Sequence, residues 1–168
     1  LACQQPENGD SSDAEVLDLR QELGEIPDGG FGWLTPEYLV PPHSDKMFCW
    51  FGTWTEATVG INQFYWRQAA PYGHHINFAT YDGGLEENPD DSWVDCSQPD
   101  NSPMSTFAPM LQGLEKTDGV SGQMVLPDGK GVRFSQGQRW VMQSHYINSG
   151  DQTMLVQDAI WGKMLPET

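Results

Sequence analysis

The sequence predicts an all-β chain folded as an antiparallel β-sandwich or barrel. Three observations predict it. Short apolar or alternating runs recur along most of the chain. Turn residues separate them, with 18 Gly and 12 Pro among 168 residues. Seven Trp, seven Phe and five Tyr provide the bulky side chains that suit a pleated, half-buried surface. The length fits one domain and is sufficient to bury a core. We expect residues 1–35 to be an N-terminal tether and lead-in, and residues 36–168 to be the β domain.

The chain opens Leu1-Ala2-Cys3. This resembles the end of a bacterial lipoprotein signal after its hydrophobic part has been removed, and it predicts lipidation at Cys3. The alternative is an ordinary cysteine at a chain start. The polar residues 4–13 read as a flexible tether. The chain lacks an initiating Met, which implies upstream processing. Residues 12–24 read as a short helix, with Asp13 as N-cap, Gly24 as the residue after the last turn, and Val16, Leu19 and Leu23 as one stripe. Residues 16–19 read equally well as a strand. Residues 27–36 are rich in Pro and Gly, and Phe31 and Trp33 are expected to plug the core from a loop.

From Tyr38 the pattern is β. Residues 46–55 are aromatic. Residues 59–67 alternate, with Val59, Ile61, Gln63, Tyr65 and Arg67 on one face and Asn62, Phe64 and Trp66 on the other. Further strands are expected over 74–81, 93–96, 106–114, 122–126, 132–134, 139–148 and 153–164. Pro127-Asp128-Gly129 and Ser149-Gly150-Asp151 are turn signals between them. The acidic stretch 86–91 lacks the ligand spacing of a calcium loop and reads as a solvated charge run. No apolar run approaches a membrane span.

Asp and Glu number 24 against 8 Lys and Arg, a formal net charge of -16. A field of that sign repels phosphate backbones and anionic lipid heads, which argues against nucleic acid or a membrane surface as partner. Membrane association is expected only through a lipid anchor at Cys3.

The chemistry is concentrated in four histidines. His74 and His75 are adjacent in one strand-like segment, and His145 lies about seventy residues on in another. Imidazole binds copper, zinc, iron and nickel. Successive strand side chains point to opposite faces, so the tandem pair meets one ion only if the strand is bulged or the rings turn different nitrogens inward. Gly73, just before the pair, is a residue type that allows such a distortion. His43, in a polar Pro-Pro-His-Ser turn, reads as a surface residue. Among the methionines, Met154 is the best candidate for an extra thioether ligand, because it follows the turn after His145. Gln143 shares a strand face with His145 and is a candidate partner for its ring. No phosphate loop, nucleophile elbow or Cys-x-x-Cys is present.

Cys49 and Cys96 flank the tandem pair. In an oxidising compartment they form a simple pair; in a reducing one they are two buried thiols, and as thiolates they are also possible ligands.

Asp45-Lys46-Met47-Phe48-Cys49, Gly73-His74-His75-Ile76, Trp93-x-x-Cys96, the stretch from Leu126-Pro127 to Phe134, and Val141-Met142-Gln143-Ser144-His145-Tyr146 form an ordered series over residues 38–164. The series resembles the N-terminal domain of the copper type II, ascorbate-dependent monooxygenases, the peptidylglycine α-hydroxylating and dopamine β-monooxygenase family. The resemblance implies an antiparallel, jelly-roll-like β-sandwich, one copper ion held as Cu(I) or Cu(II) by His74, His75 and His145, and a disulfide between Cys49 and Cys96. The family activates oxygen at a second copper held by a His-x-His pair and a methionine in a further domain. This chain has no His-x-His. The resemblance therefore implies the electron-transfer half, with a redox partner or a second copper domain supplied from elsewhere. The lipoprotein-like start at Cys3 predicts a place in the bacterial envelope or outside the cell. Two other readings remain at this level. The same three histidines suit a zinc enzyme for hydrolysis or hydration. A cell-surface binding module could keep the fold without metal.

Overall fold

The computed structural model describes residues 16–69, 71–84, 86–97, 107–114 and 121–166. Cys3 and the tether lie outside them. The elements are all strands: β1 (Leu17–Arg20), β2 (Gly30–Leu34), β3 (Tyr38–Val40), β4 (Ser44–Thr53), β5 (Val59–Arg67), β6 (Gly73–Tyr81), β7 (Trp93–Asp95), β8 (Phe107–Leu114), β9 (Ser121–Val125), β10 (Val132–Phe134), β11 (Arg139–Asn148), β12 (Met154–Gln157) and β13 (Ala159–Pro166).

They form packed sheets. One five-stranded sheet has the order β7-β4-β11-β6-β8. A second runs β10-β5-β13-β2, with β9 also paired to β5. A small third sheet is β1-β12-β3. Among the described residues every strand pair is antiparallel except β1 with β12. The main core lies between the two large sheets. Trp50, Ile76, Phe78, Trp140 and Met142 come from one, and Ile61, Phe64, Trp66, Phe134 and Ile160 from the other. Side chains alternate along each strand, so the residues between these point to the outer face of the first sheet. There Cys49, Phe51, Ala79, Tyr81, Cys96 and Val141 form a separate cluster.

Five expectations change. Residues 16–24 form no helix; the strand reading of this stretch holds, because Leu17–Arg20 pairs with Met154–Gln157, whereas a helix this short is marginal on its own. Residues 17–34 are not a lead-in ahead of residue 36, because β1 and β2 are built into two of the sheets. Phe31 and Trp33 do pack on the main core, but from strand β2 rather than from a loop. The face assignment of 59–67 also breaks. Lys163 pairs with Gln63 and Met164 with Ile61, a bulge that skips Asn62 and brings Ile61 onto the same core as Phe64 and Trp66. The long strand expected over 153–164 divides at the buried Asp158 into β12 and β13, which join different sheets.

Candidate metal centre

β11 runs at the centre of its sheet, paired to β4 on one side and to β6 on the other. Its even-numbered residues Trp140 and Met142 face the main core. His145 therefore projects from the outer face, as does Gln143. On β6, Ile76 and Phe78 face the core, so His75 shares the outer face and pairs directly with His145. A regular strand would then send His74 inward. It does not, because the next pair after His145↔His75 is Tyr146↔Gly73. His74 is the extra residue of a β-bulge. Gly73 permits this by close packing: a Cβ there would stand 2.6 Å from Cβ of Gln68 and 3.0 Å from the Ala69 carbonyl oxygen. The Gly73 N–H donates to that carbonyl at 2.7 Å, which anchors the bulge.

The three rings form an even triangle. Every pair of ring centroids is 4.9 Å apart, with planes inclined by 67°, 69° and 78°. The Nδ1 atoms of His74 and His75 are 2.7 Å apart. One nitrogen from each of the three rings lies within 4.8 Å of the other two. His74 is exposed, His75 is half-buried and His145 is buried. The cluster can hold a metal ion, open to solvent on the His74 side.

The electrostatics suit a cation. His75 is held at about 4, below its ordinary 6.5, first by burial and then by the neighbouring imidazoles of His145 and His74. A neutral ring is the form that binds metal. His145 Nδ1 is buried and has no hydrogen-bond partner among the described residues. A buried polar atom left without a partner is costly, and a bound ion would satisfy it. The other nitrogen, Nε2, lies 2.6 Å from Oδ1 of Asp45 on β4.

The remaining candidates fall elsewhere. Gln143 lies on the same face, but its Oε1 accepts from Asn77 Nδ2 at 2.9 Å, and its Nε2 lies 4.0 and 3.8 Å from the sulfurs of Cys49 and Cys96. Met154 is not beside the histidines. It is buried with Tyr38, Val40, Phe48 and Tyr146 on the opposite side of the sheet, because β12 joins the small third sheet. Tyr146 faces away from His145, as alternation requires, and its hydroxyl donates to buried Asp158. His43 is exposed, with φ of 49° and Nε2 at 3.0 Å from Asp151 Oδ1. Glu86, Glu87, Asp90 and Asp91 are exposed. Cys49 and Cys96 form a disulfide across a separation of 47 residues, under the same outer face. Such bonds persist in oxidising compartments. Among the described residues no helix is long and apolar enough to cross a membrane.

Asp45 is the site residue that the sequence reading did not single out. It stands in the quoted Asp45–Cys49 motif, but only the β4–β11 register brings it to His145. That register sets Met47 opposite His145 and Asp45 opposite Ile147. No family model matches the chain, and no curated protein matches it in sequence. The functional reading therefore stands on the geometry and on the motif resemblance.

Proposed function

We propose that the chain is a mononuclear copper-binding domain that holds one ion through His74, His75 and His145 and exchanges single electrons with a partner. The observation that carries the reading is the convergence of three imidazoles from two strands onto one point of the sheet face. An all-imidazole donor set with no protein carboxylate suits copper in both oxidation states, and the affinity order of divalent ions favours copper. When bound, copper supplies one-electron redox chemistry. The protein holds the His75 ring neutral, brings His74 beside it through the bulge, and leaves one side open to solvent. The role resembles the electron-transfer half of the copper type II monooxygenases, working with an oxygen-activating site outside this sequence. An extracytoplasmic location, with Cys3 as lipid anchor, belongs to the same proposal, and the disulfide supports it.

The test is reconstitution. One equivalent of Cu(II) added to metal-free protein should give a type II EPR signal with nitrogen hyperfine structure. A chain that takes up no copper ends the reading. Oxygen consumption with ascorbate by this chain alone would also contradict it.

A second reading, catalytic zinc, draws on the exposed His74 side, since a zinc enzyme keeps one position open to water. It is weakened by the placement of Asp45, which is engaged with the ring edge of His145 rather than free to act as a base. Competition between Zn²⁺ and Cu²⁺, followed by ester-hydrolysis and hydration assays, separates the two.

A further inference from the structure

We propose that Asp45 is a positioning residue: it commits His145 to bind metal through Nδ1 and biases a bound copper towards Cu(II). The second half rests on the copper reading above; the first does not.

The geometry is specific. Asp45 Oδ1 and His145 Nε2 are 2.6 Å apart. An ionised carboxylate only accepts, so Nε2 carries the proton. A neutral imidazole has one N–H, so Nδ1 keeps its lone pair. That atom is the buried one without a partner among the described residues. The His74 and His75 rings already turn Nδ1 atoms towards each other, 2.7 Å apart. Asp45 thus selects, for the most buried of the three rings, the tautomer whose free lone pair is Nδ1.

The Asp45 side chain is 64% exposed. It therefore keeps its charge in solvent while holding the ring. The neighbouring base does not cancel it, because Lys46 Nζ is bonded to Asp95 Oδ2 at 2.5 Å, at the β7 side of the sheet. A carboxylate on the outer nitrogen of a ligating imidazole raises the basicity of the inner one. It also places a negative charge beside the ion. Both effects are larger for Cu(II) than for Cu(I), whose charge is one unit smaller. Reduction, Cu(II) plus one electron giving Cu(I), is thereby made harder.

The variants are Asp45→Asn, Asp45→Ala and Asp45→Glu. Their folding is checked by urea denaturation of the metal-free proteins. Two measurements follow. Nitrogen-15 NMR of the metal-free chain at neutral pH reads the His145 tautomer. Competitive titrations with Cu(II) and with Cu(I), and the equilibrium potential, read the bias. We expect wild type to hold the Nε2–H tautomer and Asp45→Ala to lose that preference. We expect Asp45→Asn to keep the tautomer, since its carbonyl still accepts, but to bind Cu(II) about 10–100-fold more weakly. Cu(I) affinity should change less, and each tenfold change in the ratio raises the potential by about 59 mV. Asp45→Glu should restore part of the bias. An Nδ1–H tautomer in wild type, or a Cu(II)/Cu(I) affinity ratio within about twofold of wild type in both Asn and Ala variants, overturns the proposal. A wild-type chain that binds no copper overturns the redox half and the copper reading together, while the tautomer measurement still decides the positioning half.

Discussion

His145 pairs with His75 across β11 and β6, yet the next residue, Tyr146, pairs with Gly73. His74 is left over between the two pairs. That single extra residue brings adjacent histidines, which a regular strand would send to opposite faces, into one triangle of rings.

Gly73 is the first test of this arrangement. A Cβ there would stand 2.6 Å from Cβ of Gln68, closer than such atoms approach, so the bulge must shift to admit it. Gly73→Ala should destabilise the fold by about 1–3 kcal/mol, the usual cost of overpacking. Gly73→Val should cost more. Both should weaken metal binding more than their stability loss alone explains, because His74 is the residue displaced. Urea denaturation and metal titration on the same samples measure the two effects.

Removing the ligands separates binding from packing. His74 is exposed, so His74→Ala should change the metal-free stability by no more than about 0.5 kcal/mol while abolishing tight metal uptake. His145 is buried and bonded to Asp45, so His145→Ala should lose uptake and also cost about 1–3 kcal/mol. Copper at about 100 times its Kd should add about 2.7 kcal/mol to wild type. It should add nothing to the triple variant lacking His74, His75 and His145. Thermal unfolding with and without metal gives the comparison; equal stabilisation of both proteins would place the ion elsewhere.

The depressed His75 predicts a pH dependence with a definite sign. In the folded chain this ring titrates at about 4, against an ordinary 6.5. Below the ordinary value the unfolded chain binds a proton that the folded chain refuses. The stability from the neutral ring is therefore fully present above about 6.5 and is lost as the pH falls through about 4. Urea midpoints of the chelator-treated protein, measured from about pH 7.5 down to about pH 4, should fall more steeply for wild type than for His75→Gln. Parallel curves would remove this ring as the cause.

The disulfide fastens β4 to the segment just after β7, beside the outer-face cluster. With a separation of 47 residues between Cys49 and Cys96, the chain-entropy account assigns it about 4 kcal/mol. Replacing both cysteines with Ser should lower stability by that order. Met47 also accepts a backbone bond from Cys96 at 2.9 Å, and it is the cross-strand neighbour of His145. We therefore expect the double variant to bind metal more weakly. Denaturation with calorimetric metal titration checks both; unchanged metal affinity would show that β4 holds its register without the bridge.

Much of the fold is written in local pattern. The apolar run that opens residues 139–148, the short Val132–Phe134 stretch and the turns around Gly129 and Gly150 are sufficient to mark those strands. The histidines were legible for the same reason: few in number, in apolar strands, and preceded by Gly73. What local pattern does not carry is register. Whether Asp45, Gln143 or Met154 stands beside His145 depends on which strands are neighbours and where the bulges fall. Those choices are settled by burying Trp50, Phe78 and Trp140 between the sheets and Tyr146 with Met154 on the same side. The sequence by itself determined the all-β class, the turn positions and the identity of the three imidazoles. Only the tertiary structure decided that they meet, and that a carboxylate holds one of them. Cross-strand partners lie far apart in the chain, and their pairing is selected by the packing of the whole core rather than by any segment alone.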